Sequence, residues 1–172
     1  MTSFRALLAM SCLMLPAAQA VAADSVLTFN QALGGSVITP VQFGQYVYVV
    51  TGSIVSAYDY TNITKPLMTG ATNTTPARGL ITGLARKGNY LYAGWTTYEG
   101  DGGIAVYSVA DRAHPTLIGQ YNDYTTQPLR AVQSIAVSSK YLYLFDGNNG
   151  IYVSDLANPK HPAFTLSSLE LL

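Results

Sequence analysis

The sequence predicts an all-β chain of β-propeller-type blades: three four-stranded antiparallel repeats, arranged as an open or partial propeller. Three observations predict it. A strand pattern of Tyr, apolar, Tyr, apolar occurs three times, and each copy is followed at a matching distance by a proline turn. The composition, with 13 Tyr, 15 Gly and 8 Pro in 172 residues, suits short strands joined by tight turns. After the N-terminal segment no window holds a 3.6-residue apolar period, so almost no helix is expected.

The N-terminal segment stands apart from the repeats. Arg5 is the one charge before Asp24, and the apolar run from Ala6 to Leu15 is broken by Pro16. Small residues from Ala17 to Ala23 then offer cleavage after Ala20, Ala22 or Ala23. This is the pattern of a secretory signal peptide, expected over residues 1–23. The run is shorter than the ~20 apolar residues that span a bilayer. The mature chain, residues 24–172, is therefore expected to carry no transmembrane span and to be periplasmic, secreted or at the cell surface. Cys12 is the only cysteine and would leave with the signal, which excludes disulfides and thiol chemistry. Val26 to Phe29 reads as an extra strand before the first blade.

The repeats follow in order. Tyr46-Val47-Tyr48, Tyr90-Leu91-Tyr92 and Tyr141-Leu142-Tyr143 begin the second strand of each blade. The prolines Pro66, Pro115 and Pro162 lie 49 and 47 residues apart. Four residues before each stands Asn62, Asp111 or Asn158, and seven before each stands Asp59, Ser108 or Asp155. The register thus holds at several independent positions. A period of about 40–50 residues with several short strands is what propeller blades require. The blades are placed at about 36–71, 80–121 and 132–168. Inner strands are expected at 36–42, 80–86 and 132–138, and Tyr-rich strands at 45–51, 89–95 and 140–146. Third strands follow at 54–60, 103–109 and 150–156, and outer strands at 67–71, 116–121 and 163–168.

The third repeat, from Tyr141-Leu-Tyr-Leu-Phe-Asp146 through Gly150-Ile-Tyr-Val-Ser-Asp155 to Asn158-Pro-Lys-His-Pro162, resembles the LVIVD-type repeat of bacterial and archaeal secreted or surface proteins. The second repeat keeps the outline with Ser108 for the Asp, and the first is the most divergent. The resemblance spans about residues 36–168. It implies a propeller-like fold and an extracytoplasmic location, and it implies no catalytic residues.

Most repeated residues have a structural explanation. Paired Tyr residues two apart share one strand face, where they pack against a neighbouring blade and send a hydroxyl to backbone or edge; a sugar-binding stripe is the alternative. Asp59 and Asp155 are expected to bond to backbone in the turn that follows each of them. His114 and His161 share a repeat position that holds Lys65 in the first blade, so they read as exposed turn residues.

Nucleophile, Walker and zinc patterns are missing, and no cofactor is expected. Lys plus Arg equals Asp plus Glu at 9 each, which leaves no basic field for nucleic acid. Any binding surface is placed on the face formed by the turns between second and third strands and by the links between blades. Its candidates are Arg78, Trp95, Tyr98, Asp101, Asp123, Tyr124, Arg130, Asp146 and Asn148. The expected function is a non-enzymatic exported scaffold for binding a protein or ligand. The competing reading is a metal-dependent hydrolase of the lactonase-like propeller kind, with Asp101, Asp123, Asp146, Asn148 and Asn149 as ligands.

Closed propellers have about four to eight blades, so three leave two apolar flanks. Three arrangements would cover them. The chain is a truncated piece of a longer propeller, favoured by its ending at Leu169-Glu170-Leu171-Leu172; it forms a homodimer that completes a ring; or it stays an open fan against another protein.

Overall fold

The computed structural model describes residues 38–72, 79–122 and 129–167. All belong to one unit, Ala32–Leu172. The signal-peptide segment and the strand expected at Val26 to Phe29 lie outside the described residues. Among those described there is no helix, and hence none long and apolar enough to cross a membrane.

Three meanders of antiparallel strands make three sheets. The first contains β1 (Val41–Phe43), β2 (Tyr46–Thr51), β3 (Ile54–Asp59) and β4 (Leu67–Ala71). The second contains β5 (Leu80–Lys87), β6 (Tyr90–Thr96), β7 (Gly102–Ser108) and β8 (Thr116–Tyr121). The third contains β9 (Val132–Val137), β10 (Tyr141–Asp146), β11 (Gly150–Asp155) and β12 (Phe164–Ser167). Each sheet is a blade, and together they form a partial propeller. The strands fall where the repeat pattern puts them, to within about one residue at their edges, with one larger difference. Residues 38–40 precede β1 as irregular chain, because Pro40 has no amide hydrogen for a ladder.

Turn chemistry sets the register. Two-residue loops, Gly44-Gln45 and Gly88-Asn89, close the first hairpins of blades 1 and 2. Gly88 has φ 56°, a conformation that costs a glycine little. The third blade has no glycine at this turn, and the Ser138 hydroxyl accepts from the Tyr141 amide at 3.0 Å instead.

Alternation along the strands then builds two cores. Tyr46, Tyr48, Val50, Val55 and Ala57 of blade 1 meet Leu91, Ala93, Trp95, Ala105 and Tyr107 of blade 2. The opposite face of blade 2, with Tyr90, Tyr92, Ile104 and Val106, meets Val132, Leu142, Leu144 and Tyr152 of blade 3. In each case the Tyr-bearing face of one blade looks toward the next blade in the chain. Among the described residues, only blade 2 is covered on both sides, and Leu91, Tyr92, Ala93, Ile104, Ala105, Val106 and Tyr107 are fully buried there.

Hydrogen bonds fix the spacing between blades. The Tyr48 hydroxyl donates to the Arg112 carbonyl at 3.0 Å, and the Tyr92 hydroxyl donates to the Pro159 carbonyl at 3.0 Å. Arg112 and Pro159 each follow the Asp or Asn of the proline turn, so the two bonds are the same bond one blade apart. One residue further on, the Ala113 carbonyl accepts from Thr69 and the Lys160 carbonyl from Tyr121. Nearer the axis, Thr82 sits at a bulge in β5 and donates to the Gly94 and Val132 carbonyls. A Cβ at its neighbour Gly83 would stand 3.0 Å from the Ile135 amide nitrogen, so glycine is what lets β9 approach.

Burial raises Tyr48, Tyr92 and Tyr107 to a pKa of about 12. An unfolded chain ionises its tyrosines near pH 10. Between about pH 10 and 12 the unfolded state therefore holds fewer protons, and rising pH draws population toward it. The contribution of these three tyrosines should be flat from neutral pH to about pH 10 and then fall by up to about 1.4 kcal/mol per pH unit for each of them. Urea midpoints measured across that range test this, and an unchanged midpoint would contradict it.

Candidate functional site on the loop face

The meander sends the turns between second and third strands, and the links between blades, to one face. The sequence-derived candidates are distributed there unevenly. Arg78, Asp123 and Tyr124 lie outside the described residues. Tyr98, at 95% exposure, and Asp101 stand in the β6–β7 loop, where Asp101 shapes the turn by accepting Thr97 N–H at its carbonyl and donating its own amide N–H to the Thr97 hydroxyl. Arg130 and Asn148 are exposed.

Trp95 is buried. Its indole lies against Gly79 and against Gly103, its cross-strand partner, inside the core between blades 1 and 2. Its Nε1 has no hydrogen-bond partner among the described residues.

Asp146 is buried too, at 5% exposure, and its carboxylate is fully engaged. Oδ2 accepts from the Arg130 amide at 2.7 Å, and Oδ1 from the amides of Asn148 at 2.8 Å and Asn149 at 3.1 Å. It ties the β10–β11 turn to the chain entering β9. Gly147 donates to the Ala131 carbonyl beside it, closing the same tie. The carboxylate thus holds backbone N–H groups, which is the turn-forming role of a short acidic side chain.

At the axis, the loop-face end opens into a hollow of about 460 Å³ lined by Ile38, Thr39, Gly52, Leu80, Ile81, Thr82, Thr96 and Gln133. Its polar side chains are one amide and three hydroxyls, of which those of Thr82 and Thr96 already donate to backbone carbonyls and keep only acceptor capacity. They suit a neutral ligand with hydroxyl groups better than an ion. Arg130 is beside this rim, since its carbonyl accepts from Thr96 Oγ1 at 3.1 Å. Sequence reasoning missed these inner-strand residues. The available signal was polar Thr82 in the apolar first half of β5, and Gln133 and Ser134 in β9, which is otherwise apolar.

The opposite face carries the proline turns, built alike in the three blades. Asp59, Ser108 and Asp155 each accept the amide two residues on. Asn62 and Asp111 do the same in the next step of the turn. His114 Nδ1 pairs with Asp111 at 2.9 Å, both exposed, and this hydrogen bond holds Asp111 below the usual carboxylate range. His161 Nδ1 meets the Tyr121 hydroxyl at 2.8 Å. Among the described residues, no three His, Cys, Asp or Glu side chains gather as a metal site would need.

The LVIVD repeat profile matches residues 79–123 and again 130–169, which are blades 2 and 3. Blade 1, the most divergent in sequence, is outside the matched residues. No curated protein matches the chain.

Proposed function

The chain is an LVIVD-type repeat protein, and we propose that it is an exported, non-enzymatic scaffold that binds a neutral, hydroxyl-rich ligand on its loop face. The observation that carries this reading is the axial hollow, whose polar lining is Thr39, Thr82, Thr96 and Gln133 with no ionisable side chain. Concave sites with a few placed polar groups on a preformed wall are the usual form of small-ligand sites. The rim loops, with Tyr98, Asp101, Arg130 and Asn148, add exposed contacts on a rigid support. Asp146 supports a binding rather than a catalytic role, because its oxygens already hold three amides. Export rests on the N-terminal segment, and the mature chain would begin at Val21, Ala23 or Asp24.

A glycan array followed by titration tests the site. Binding without turnover is expected, weakened about tenfold by Gln133→Ala, which removes an amide that donates and accepts. Hydrolysis of a lactone or ester on addition of a divalent cation would instead establish the competing metal-dependent reading. N-terminal sequencing of protein recovered from the periplasm or medium tests export.

A further inference from the structure

The internal joints between blades repeat one plan, and among the described residues both halves of that plan stand unused at the flanks. The forward face of blade 3 presents Tyr141, Tyr143, Phe145, Ile151 and Val153, the positions that in blades 1 and 2 press on the next blade. Phe145 remains 38% exposed where its counterpart Val50 is 4% exposed, and Tyr143 is half-buried where Tyr48 and Tyr92 are fully buried; Tyr141 is 41% exposed. Tyr143 is the counterpart of Tyr48 and Tyr92, the residues that donate across each internal joint.

The rear face of blade 1 presents Val47, Val49, Ile54, Tyr58 and Met68, with Ile54 and Met68 exposed. Val47, Val49 and Tyr58 correspond to Leu91, Ala93 and Tyr107, which are fully buried in blade 2. The counterpart of the acceptors Arg112 and Pro159 is Ile63, the residue after Asn62, and it stands 75% exposed. Donor and acceptor halves thus exist in one molecule, at opposite ends of its row of blades.

We propose that two copies of this chain join head to tail, blade 3 of each against blade 1 of the other, with Tyr143 donating to the Ile63 carbonyl at both joints. The contact is heterologous within each joint, yet two joints related by a twofold axis close the assembly. Three blades from each copy give six, within the range of about four to eight at which propellers close. The apolar flanks match in kind and register, and an uncovered patch of this sort needs a partner. A second copy fits because it brings the missing half of each joint at the spacing the internal joints already use. Ring closure would also bring the axial hollows of both copies to one channel, though the joint itself does not depend on ligand binding.

Sedimentation equilibrium and native mass spectrometry on the full purified chain should find a dimer. Tyr143→Phe removes one neutral hydrogen bond per joint, worth about fivefold, and so should weaken the dimer about 25-fold. Val49→Arg should leave monomer only. Should that variant fail to fold, photocrosslinking decides alone. Tyr143 replaced by p-benzoylphenylalanine, in a mixture of light and heavy isotopes, should link to residues 62–65 of the other copy. A monomer at every concentration up to the solubility limit, a dimer indifferent to Tyr143→Phe, or links elsewhere or to another protein would overturn the proposal. Glycan binding by a monomer, or a dimer that binds no glycan, separates this inference from the ligand reading.

Discussion

Tyr92→Ala is expected to lower folding stability by about 4 kcal/mol, and Tyr92→Phe by about 1 kcal/mol. Tyr92 is fully buried between blades 2 and 3, among Ile104, Val106, Leu142 and Leu144. Alanine would leave a cavity the size of a ring at a site walled by two sheets, which can close over it only in part. Phenylalanine keeps the ring and removes only the bond from the hydroxyl to the Pro159 carbonyl. Tyr90→Ala serves as the control, since Tyr90 is only partly buried at the end of β6 and should cost less. Urea unfolding of the four proteins gives the comparison. Equal losses for Tyr90→Ala and Tyr92→Ala would show that the joint between the blades is not where the stability lies.

Asp146→Ala should cost about 3 kcal/mol, because it removes the buried carboxylate that three part-buried amides, those of Arg130, Asn148 and Asn149, share. Asp146→Asn keeps one acceptor oxygen and should cost about half as much. Asp101→Ala, in an exposed loop, should stay within about 0.5 kcal/mol of the parent. The same denaturation measurements apply. A neutral Asp146→Ala would mean that water replaces the carboxylate and that the residue is available for other work.

The strands were legible because two signals agreed. Tyr-apolar-Tyr marks a period of two, and the Asn or Asp and Pro spacing marks where each blade turns back. Pro40 moved an edge furthest, since it delays β1 to Val41; several other edges shift by about one residue. The candidate site was less legible, for reasons particular residues make plain. Trp95 lies at the loop-face end of its strand, and the chain offers no local sign that Gly79 and Gly103 make a slot for its ring. Asp146 stands in a run of turn-forming residues, and only the folded loop reveals that its oxygens face three amides. Thr39, Thr82, Thr96 and Gln133 come from four separated segments, so their convergence at the axis is a property of how blades are arranged. Local pattern reports strand and turn; it does not report which side of a blade borders the axis.

The acceptors across the joints are main-chain carbonyls, those of Arg112 and Pro159. A tyrosine that bonds to a carbonyl places no demand on the side chain attached to it. A cationic residue and an imino acid can therefore occupy equivalent places, with isoleucine at the third, while the joint stays the same. Mutational drift in this turn is thereby uncoupled from the coupling between modules, and only insertions or deletions that change the count from the aspartate or asparagine would disturb it. Such a rule lets diverging copies of one repeat remain interchangeable neighbours, whichever order they are assembled in.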